Sequence, residues 1–328
     1  MEKLVQIKNF TSGFLFEGKR MTVLNNINID LYSGEVLGIV GESGSGKSVT
    51  ARSIMRLLAP PHYQVLSGEI YYKDTNVLSL SDRQMQTIRG NKISMIFQEP
   101  MTALNPVYTC GDQIMEAIVL HRKVSRQEAH TQAVDLLKLV GIQLPELRIN
   151  SYPHELSGGM RQRIVIAMAL SCNPELLIAD EPTTALDPTI QAQILDLIRR
   201  LQAEMKMSVL YITHDLGVVA EICQRVVVMY GGRIMETADV IELYKNPTHP
   251  YTRGLMQAMP RINEQRERLY NIEGTVPHFS EMPPGCPFYG RCPERISKCE
   301  MDSPVPIEIQ EGHFVSCHTC SKPDSGSN

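Results

Sequence analysis

Gly41-Glu42-Ser43-Gly44-Ser45-Gly46-Lys47-Ser48 follows directly on the apolar run Val36-Leu37-Gly38-Ile39-Val40. The run predicts a buried parallel strand entering a turn, and Ser48 to Leu58 has helical spacing until Pro60-Pro61 ends it. The octet fits G-x-x-x-x-G-K-[ST] in full and stands in the strand–loop–helix setting that gives the pattern its meaning. Glycines let the backbone wrap a phosphate and aim its N–H groups inward, and the helix start presents a positive end to the anion. In such a loop Lys47 reaches the β- and γ-phosphates and the Ser48 hydroxyl ligates Mg²⁺. A nucleoside triphosphate with Mg²⁺ is the expected ligand.

Outward from this loop the pattern repeats. Residues 4–31 alternate apolar and polar side chains, which predicts short antiparallel strands. Lys92 to Phe97, Leu176 to Asp180 and Val209 to Thr213 predict further strands. Helical periodicity runs from about Val107 to Val140, from Gln162 to Leu170 and from Thr189 to Met205. Strand, helix, strand in this order implies a parallel α/β sheet with ligands at the carboxyl ends of its strands. Asp180 closes one such strand, where its carboxylate can reach the Mg²⁺ shell. Glu181 follows directly, placed to orient an attacking water and take its proton.

Composition narrows the class. The chain has 328 residues, 43% hydrophobic and 21% charged, with a formal net charge of -4. That balance suits a large globular core and lacks the basic excess of a nucleic-acid binder. No apolar run reaches membrane-spanning length, and the first residues lack the apolar core of a secretory signal. Membrane association is therefore expected through partners.

Leu156-Ser157-Gly158-Gly159-Met160-Arg161-Gln162-Arg163, 25 residues before Glu181, resembles the signature motif of ABC ATPases. In that family Ser157 and the Gly158 and Gly159 amides contact the γ-phosphate of ATP held by the opposite subunit. The resemblance extends to Gln98 as the Q-loop glutamine near Mg²⁺, to Ala185-Leu186-Asp187 as the D-loop, and to His214 as the switch histidine on the γ-phosphate. It makes Glu181, His214 and Gln98 the catalytic set. Ser48, Gln98 and Asp180 become the Mg²⁺ set. Phe14 is the candidate for stacking on adenine, with Phe16 or Phe10 as substitutes. The implied fold is an α/β P-loop NTPase cassette over residues 1–245. It has a parallel sheet core, an antiparallel β subdomain and a helical subdomain at about 100–165.

Asn246-Pro247-Thr248-His249-Pro250-Tyr251-Thr252 resembles the start of the C-terminal extension of oligopeptide/dipeptide importer ATPases. So do Gln98-Glu99-Pro100-Met101-Thr102-Ala103-Leu104-Asn105-Pro106 and Tyr152-Pro153-His154-Glu155-Leu156. The texture beyond residue 245 is rich in proline. An irregular Cys-rich extension is expected over 246–320, followed by a disordered tail at 321–328. Five of the eight cysteines lie between Cys286 and Cys320. Cys110, Cys172 and Cys223 read as small buried hydrophobes. Clustered thiols in a cytosolic chain favour metal over disulfides. The extension resembles that of family members whose four cysteines hold a [4Fe–4S] cluster, which makes Cys286, Cys292, Cys299 and Cys317 the expected ligands. Zn²⁺ on four of the five cysteines is the alternative.

The resemblance implies an ATPase at the cytoplasmic face of the membrane, energising uptake of di- or oligopeptides. Its implied partners are a second, similar ATPase subunit in a heterodimer, two transmembrane permease subunits and an extracytoplasmic substrate-binding protein. Nickel chelates, glutathione or another small solute are alternative cargoes. A soluble ABC ATPase uncoupled from transport is the alternative from another class. It usually carries two cassettes or long coiled-coil insertions, and neither is visible here.

Overall fold

The computed structural model describes residues 2–98, 103–184, 186–259 and 271–320. Four expected features lie outside these residues: Glu99 to Thr102 after the Q-loop glutamine, Ala185 of the D-loop, Pro260, and the tail at 321–328. The chain forms two compact units. One comprises Met1–Glu2, Tyr32–Glu35 and Ser79–Tyr211; the other comprises Lys3–Leu31, Val36–Leu78 and Ile212–Asn328.

The second unit opens with a four-stranded sheet in the order Lys19–Tyr32, Lys3–Phe16, Tyr63–Tyr72, Thr75–Asn76. Lys3–Phe16 runs antiparallel to Tyr63–Tyr72, from Val5 opposite Tyr72 to Phe14 opposite Tyr63. The register shifts between Lys8 and Thr11. Gly68 faces this bulge at φ +85°, where a Cβ would lie 2.4 Å from the Asn9 carbonyl oxygen. Only glycine lets the two backbones approach so closely.

The same unit holds a second stretch of sheet in the order Ile307–Gln310, His313–Val315, Arg233–Asp239, Arg225–Tyr230, Val36–Val40. Val36–Val40 is buried at every residue, as befits a strand covered on both faces. It runs parallel to Arg225–Tyr230, with Leu37 opposite Arg225 and Val40 opposite Val228. Arg225–Tyr230 turns back antiparallel into Arg233–Asp239 through Gly231 and Gly232. Both glycines have positive φ, the backbone that a two-residue hairpin turn requires.

In the first unit Ile93–Ile96 pairs in parallel with Leu176–Asp180, Ile93 opposite Leu176 and Ile96 opposite Ala179. Ser208–Thr213 neighbours Leu176–Asp180 on its other side. The same unit holds the helices Cys110–Arg122, Arg126–Leu139 and Gly158–Leu170, which pack against one another, the last also against Ile93–Ile96. Thr109 caps the first, its hydroxyl accepting from the Asp112 N–H. Ser125 and Glu128 form a reciprocal capping box at the start of the second. Ile114 and Ile118, Ala129, Ala133 and Leu137, and Ile164 and Ala167 are fully buried, one apolar stripe from each helix.

Several expectations shift at their edges. The helix after the phosphate loop ends at Ile54, because Arg56 takes φ +48°. The stretch from Val107 to Val140 is two helices, interrupted where Lys123 adopts φ +53°. The signature helix begins at Gly158, not Gln162. The extension is not wholly irregular. It supplies the helix Pro250–Ala258, and its strand His313–Val315 pairs with Arg233–Asp239, Glu236 opposite Val315.

Candidate nucleotide site

The phosphate loop sits in the second unit. Gly46 precedes the helix Lys47–Ile54 at φ +99°, and a Cβ there would lie 2.7 Å from Leu24 Cδ2. Gly44 is also in the left-handed region, at φ +79°. Both positions therefore favour glycine for conformational reasons, and Gly46 for space as well. Lys47 is 5% exposed, and its ammonium donates to the carbonyl oxygens of Gly41 at 2.7 Å and Glu42 at 3.0 Å. The loop is pinned from outside by Gly232, whose N–H donates to the Ser45 carbonyl at 3.0 Å. Ser48 lies in the first turn of the helix. Ser45 is fully buried.

Two contacts on this loop were invisible in the sequence. Tyr251 accepts from the Glu42 N–H through its hydroxyl at 2.9 Å. Arg291 forms an ion pair with the Glu42 carboxylate at 2.8 Å. Both partners come from the C-terminal extension.

The carboxylates sit in the first unit. Asp180 ends its strand with no exposed surface. Glu181 follows at φ +48°, a conformation that costs about 1–3 kcal/mol for a side chain of this kind and is typical of functional sites. Its carboxylate accepts from Gln98 Nε2 at 3.2 Å and from the Thr184 hydroxyl at 2.9 Å. The structure brings Gln98 and Glu181 together, and Thr184 joins them. Thr184 lies three residues beyond Glu181 in a turn, a position with no distinctive sequence signal.

The signature segment is built beside this turn. Ser157 caps the helix Gly158–Leu170, its hydroxyl accepting from the Met160 N–H at 3.3 Å. Gly158 and Gly159 begin that helix, and a Cβ on Gly159 would press Ile190 at 3.0 Å. Gln162, fully buried, donates to the Pro182 carbonyl at 2.6 Å and so ties the signature helix to the Glu181 turn. Asp187 caps the helix Pro188–Met205, accepting from the N–H groups of Thr189 and Ile190.

His214 is exposed, between the strand Ser208–Thr213 and the helix Leu216–Ile222 that Asp215 caps. Phe14 is half-buried, with its ring 5.3 Å from that of Tyr63. Phe10 is wholly buried, which removes it as a surface for adenine, whereas Phe16 is 60% exposed.

In the extension, Cys286 and Cys299 are buried and Cys292, Cys317 and Cys320 are half-exposed. Burial pushes the Cys286 thiol up to about 11, and Cys286 lies within electrostatic reach of Cys299, Cys292 and Cys317. A hydrogen bond from Cys320 brings Cys317 down to about 4. Among the described residues no group of three or more His, Cys, Asp or Glu is arranged to hold a metal ion. The single-ion geometry of a zinc site is therefore not formed by these side chains. Cys286, Cys292, Cys299 and Cys317, expected to hold a [4Fe–4S] cluster, include the soft donors within electrostatic reach of Cys286, but they form no metal-holding group in this arrangement. Cys110, Cys172 and Cys223 are buried apart from these five, as small core residues.

The ABC transporter family profile matches residues 24–184. The profile of the oligopeptide/dipeptide transporter C-terminal region matches residues 235–299. A peptide ABC transporter ATP-binding protein of Sinorhizobium fredii is 55% identical over 315 residues, covering 96% of this chain and 94% of the relative. The chain belongs to the ABC transporter ATP-binding proteins of the oligopeptide/dipeptide family. A dipeptide transport ATP-binding protein of Bacillus subtilis is 49% identical, over 97% of this chain and 95% of its own length. Among solved structures, a dimeric ATP-binding cassette in a post-hydrolysis state with ADP and phosphate matches 72% of this chain and 98% of its own, at 30% identity and a TM-score of 0.64. The expected ABC cassette fold is thus present, and this ABC ATPase carries an extension beyond the part that the solved cassette covers. No described helix is long and apolar enough to cross a membrane.

Proposed function

We propose that this ABC ATPase binds MgATP on Gly41–Ser48 and hydrolyses it to drive import of di- or oligopeptides through separate membrane subunits. The observation that carries the reading is the pairing in one chain of an ABC transporter match with an oligopeptide/dipeptide transporter C-terminal match, alongside near-full-length relatives named for peptide transport. Lys47 and the loop amides would hold the phosphates, and Ser48, Asp180 and Gln98 are the residues that would hold Mg²⁺. Glu181 accepts the proton of the attacking water, and the hydrogen bonds from Gln98 and Thr184 fix its carboxylate for that task. His214 reads the γ-phosphate, and Phe14 stacks on adenine. Ser157, Gly158, Gly159 and Asp187 act across a dimer on the nucleotide of a second, similar ATPase subunit. Residues 1–245 form the cassette and 246–320 the extension. The complex is peripheral to the cytoplasmic face, with two permeases and an external binding protein.

The experiment is reconstitution with the permease pair in liposomes. Peptide-loaded binding protein should raise ATP turnover several-fold and move peptide inward; turnover indifferent to peptide and permease removes the import assignment.

Cys286, Cys292, Cys299 and Cys317 are proposed to hold a [4Fe–4S] cluster, which when bound fixes the fold of the extension around it. Anaerobically purified protein should be brown and carry about four irons per chain. A colourless protein with one zinc per chain replaces the cluster by the zinc alternative.

A further inference from the structure

A carboxylate in a phosphate-binding loop is an electrostatic liability. Glu42 is the second residue of Gly41–Ser48, so its charge sits on the loop that must attract a polyanion. The structure shows how that charge is managed. Arg291 Nη1 lies 2.8 Å from Glu42 Oε2 and also donates to the Tyr230 hydroxyl at 3.3 Å. The other arms of the guanidinium donate to the carbonyl oxygens of Glu273 at 2.9 Å and Ile272 at 3.1 Å. Arg291 is held on several sides, and its side chain is 8% exposed against 27% for Glu42. The pair is therefore shielded from solvent and salt more than a surface bridge is.

Tyr251 grips the same residue by its backbone. Its hydroxyl accepts from the Glu42 N–H at 2.9 Å, and its ring packs edge-on to Tyr230 at 4.8 Å and against Phe288 at 5.2 Å. The Glu42 carbonyl accepts from Lys47 at 3.0 Å. One loop residue thus has its N–H, carbonyl and carboxylate all engaged, two of the three by the extension.

We propose that Arg291 and Tyr251 are positioning residues of the nucleotide site: Arg291 cancels and anchors the Glu42 charge, and Tyr251 fixes the loop backbone from which Lys47 works. The extension is then a part of the ATP site and not an appendage to it. The inference rests on the reading of Gly41–Ser48 as the nucleotide loop.

The test is MgATP affinity of the full chain, titrated by fluorescence with a fluorescent ATP analogue in competition. Arg291→Ala should weaken MgATP about tenfold by freeing a negative charge beside the phosphates. Arg291→Lys should recover part of that loss. Glu42→Gln added to Arg291→Ala should recover most of it, because the repelling charge is gone. Raising salt should shrink the Arg291→Ala defect. Tyr251→Phe, which removes one oxygen, should weaken MgATP about threefold. Wild-type affinity in both Arg291→Ala and Tyr251→Phe overturns the proposal. So does a double variant no better than Arg291→Ala alone, since loss of folding would not respond to Glu42→Gln. Lys47→Ala separates the two readings. If it binds MgATP normally, the nucleotide-loop assignment is what fails; if it loses binding while Arg291→Ala and Tyr251→Phe do not, the extension's role fails alone.

Discussion

The phosphate loop and the extension that touches it are held by opposite means. The loop is fixed locally. Gly44 and Gly46 set its turns, and Lys47 closes it onto carbonyls five and six residues back. The extension has few regular elements and is fixed by long-range anchors. Glu236, fully buried in the strand Arg233–Asp239, accepts from the N–H groups of Thr248 at 2.8 Å and His249 at 2.9 Å, and faces His313 Nε2 at 2.7 Å. Tyr230, Tyr251 and Phe288 form an aromatic cluster, and Arg291 reaches Glu42 across 249 residues of sequence. A site encoded in a short stretch should respond to local backbone changes. A segment held by anchors should respond to loss of one anchor, far from any motif.

Glu236→Ala is the larger stroke against this contrast. It strands the part-buried Thr248 N–H, the buried His249 N–H and a buried histidine, and should cost about 3–5 kcal/mol. Chemical denaturation and limited proteolysis should show the extension loosened. Stability within about 0.5 kcal/mol of wild type would mean the extension is held by something else. Gly46→Ala acts on the other side. Its φ of +99° and the Leu24 contact should cost about 1–3 kcal/mol, with MgATP affinity lost and the extension still protease-resistant. Proteolysis of the extension in this variant would show the two regions to be less separate than their anchors suggest.

That contrast also explains what could be read from the residues alone. The phosphate loop, the strand before it, the Asp180–Glu181 end of Leu176–Asp180 and the signature helix were legible, because each is a local pattern of glycine, apolar run and polar terminus. The strand Arg225–Tyr230 carries no motif residue, and an apolar run as short as Val226-Val227-Val228 does not by itself separate a buried strand from a buried helix. Tyr63–Tyr72 alternates only weakly around Gly68, which leaves no clear strand period. The irregularity expected of the extension came from its prolines; the pairing of His313–Val315 with the strand containing Glu236 depends on a partner some eighty residues earlier, which no window contains. Thr184, Tyr251 and Arg291 belong to the same class. Each acts through a contact, and Tyr251 and Arg291 act over a separation that composition and periodicity do not register.

The proposed reaction hangs on Glu181, whose carboxylate accepts from Gln98 and Thr184 and whose backbone takes a conformation that glutamate rarely adopts. Glu181→Gln keeps the shape and removes the base, so single-turnover ATP cleavage and MgATP binding should be measured on it side by side. Binding close to wild type with cleavage slowed about a thousandfold is the expected result. Cleavage at close to the wild-type rate would contradict the assignment of this turn as the hydrolytic centre.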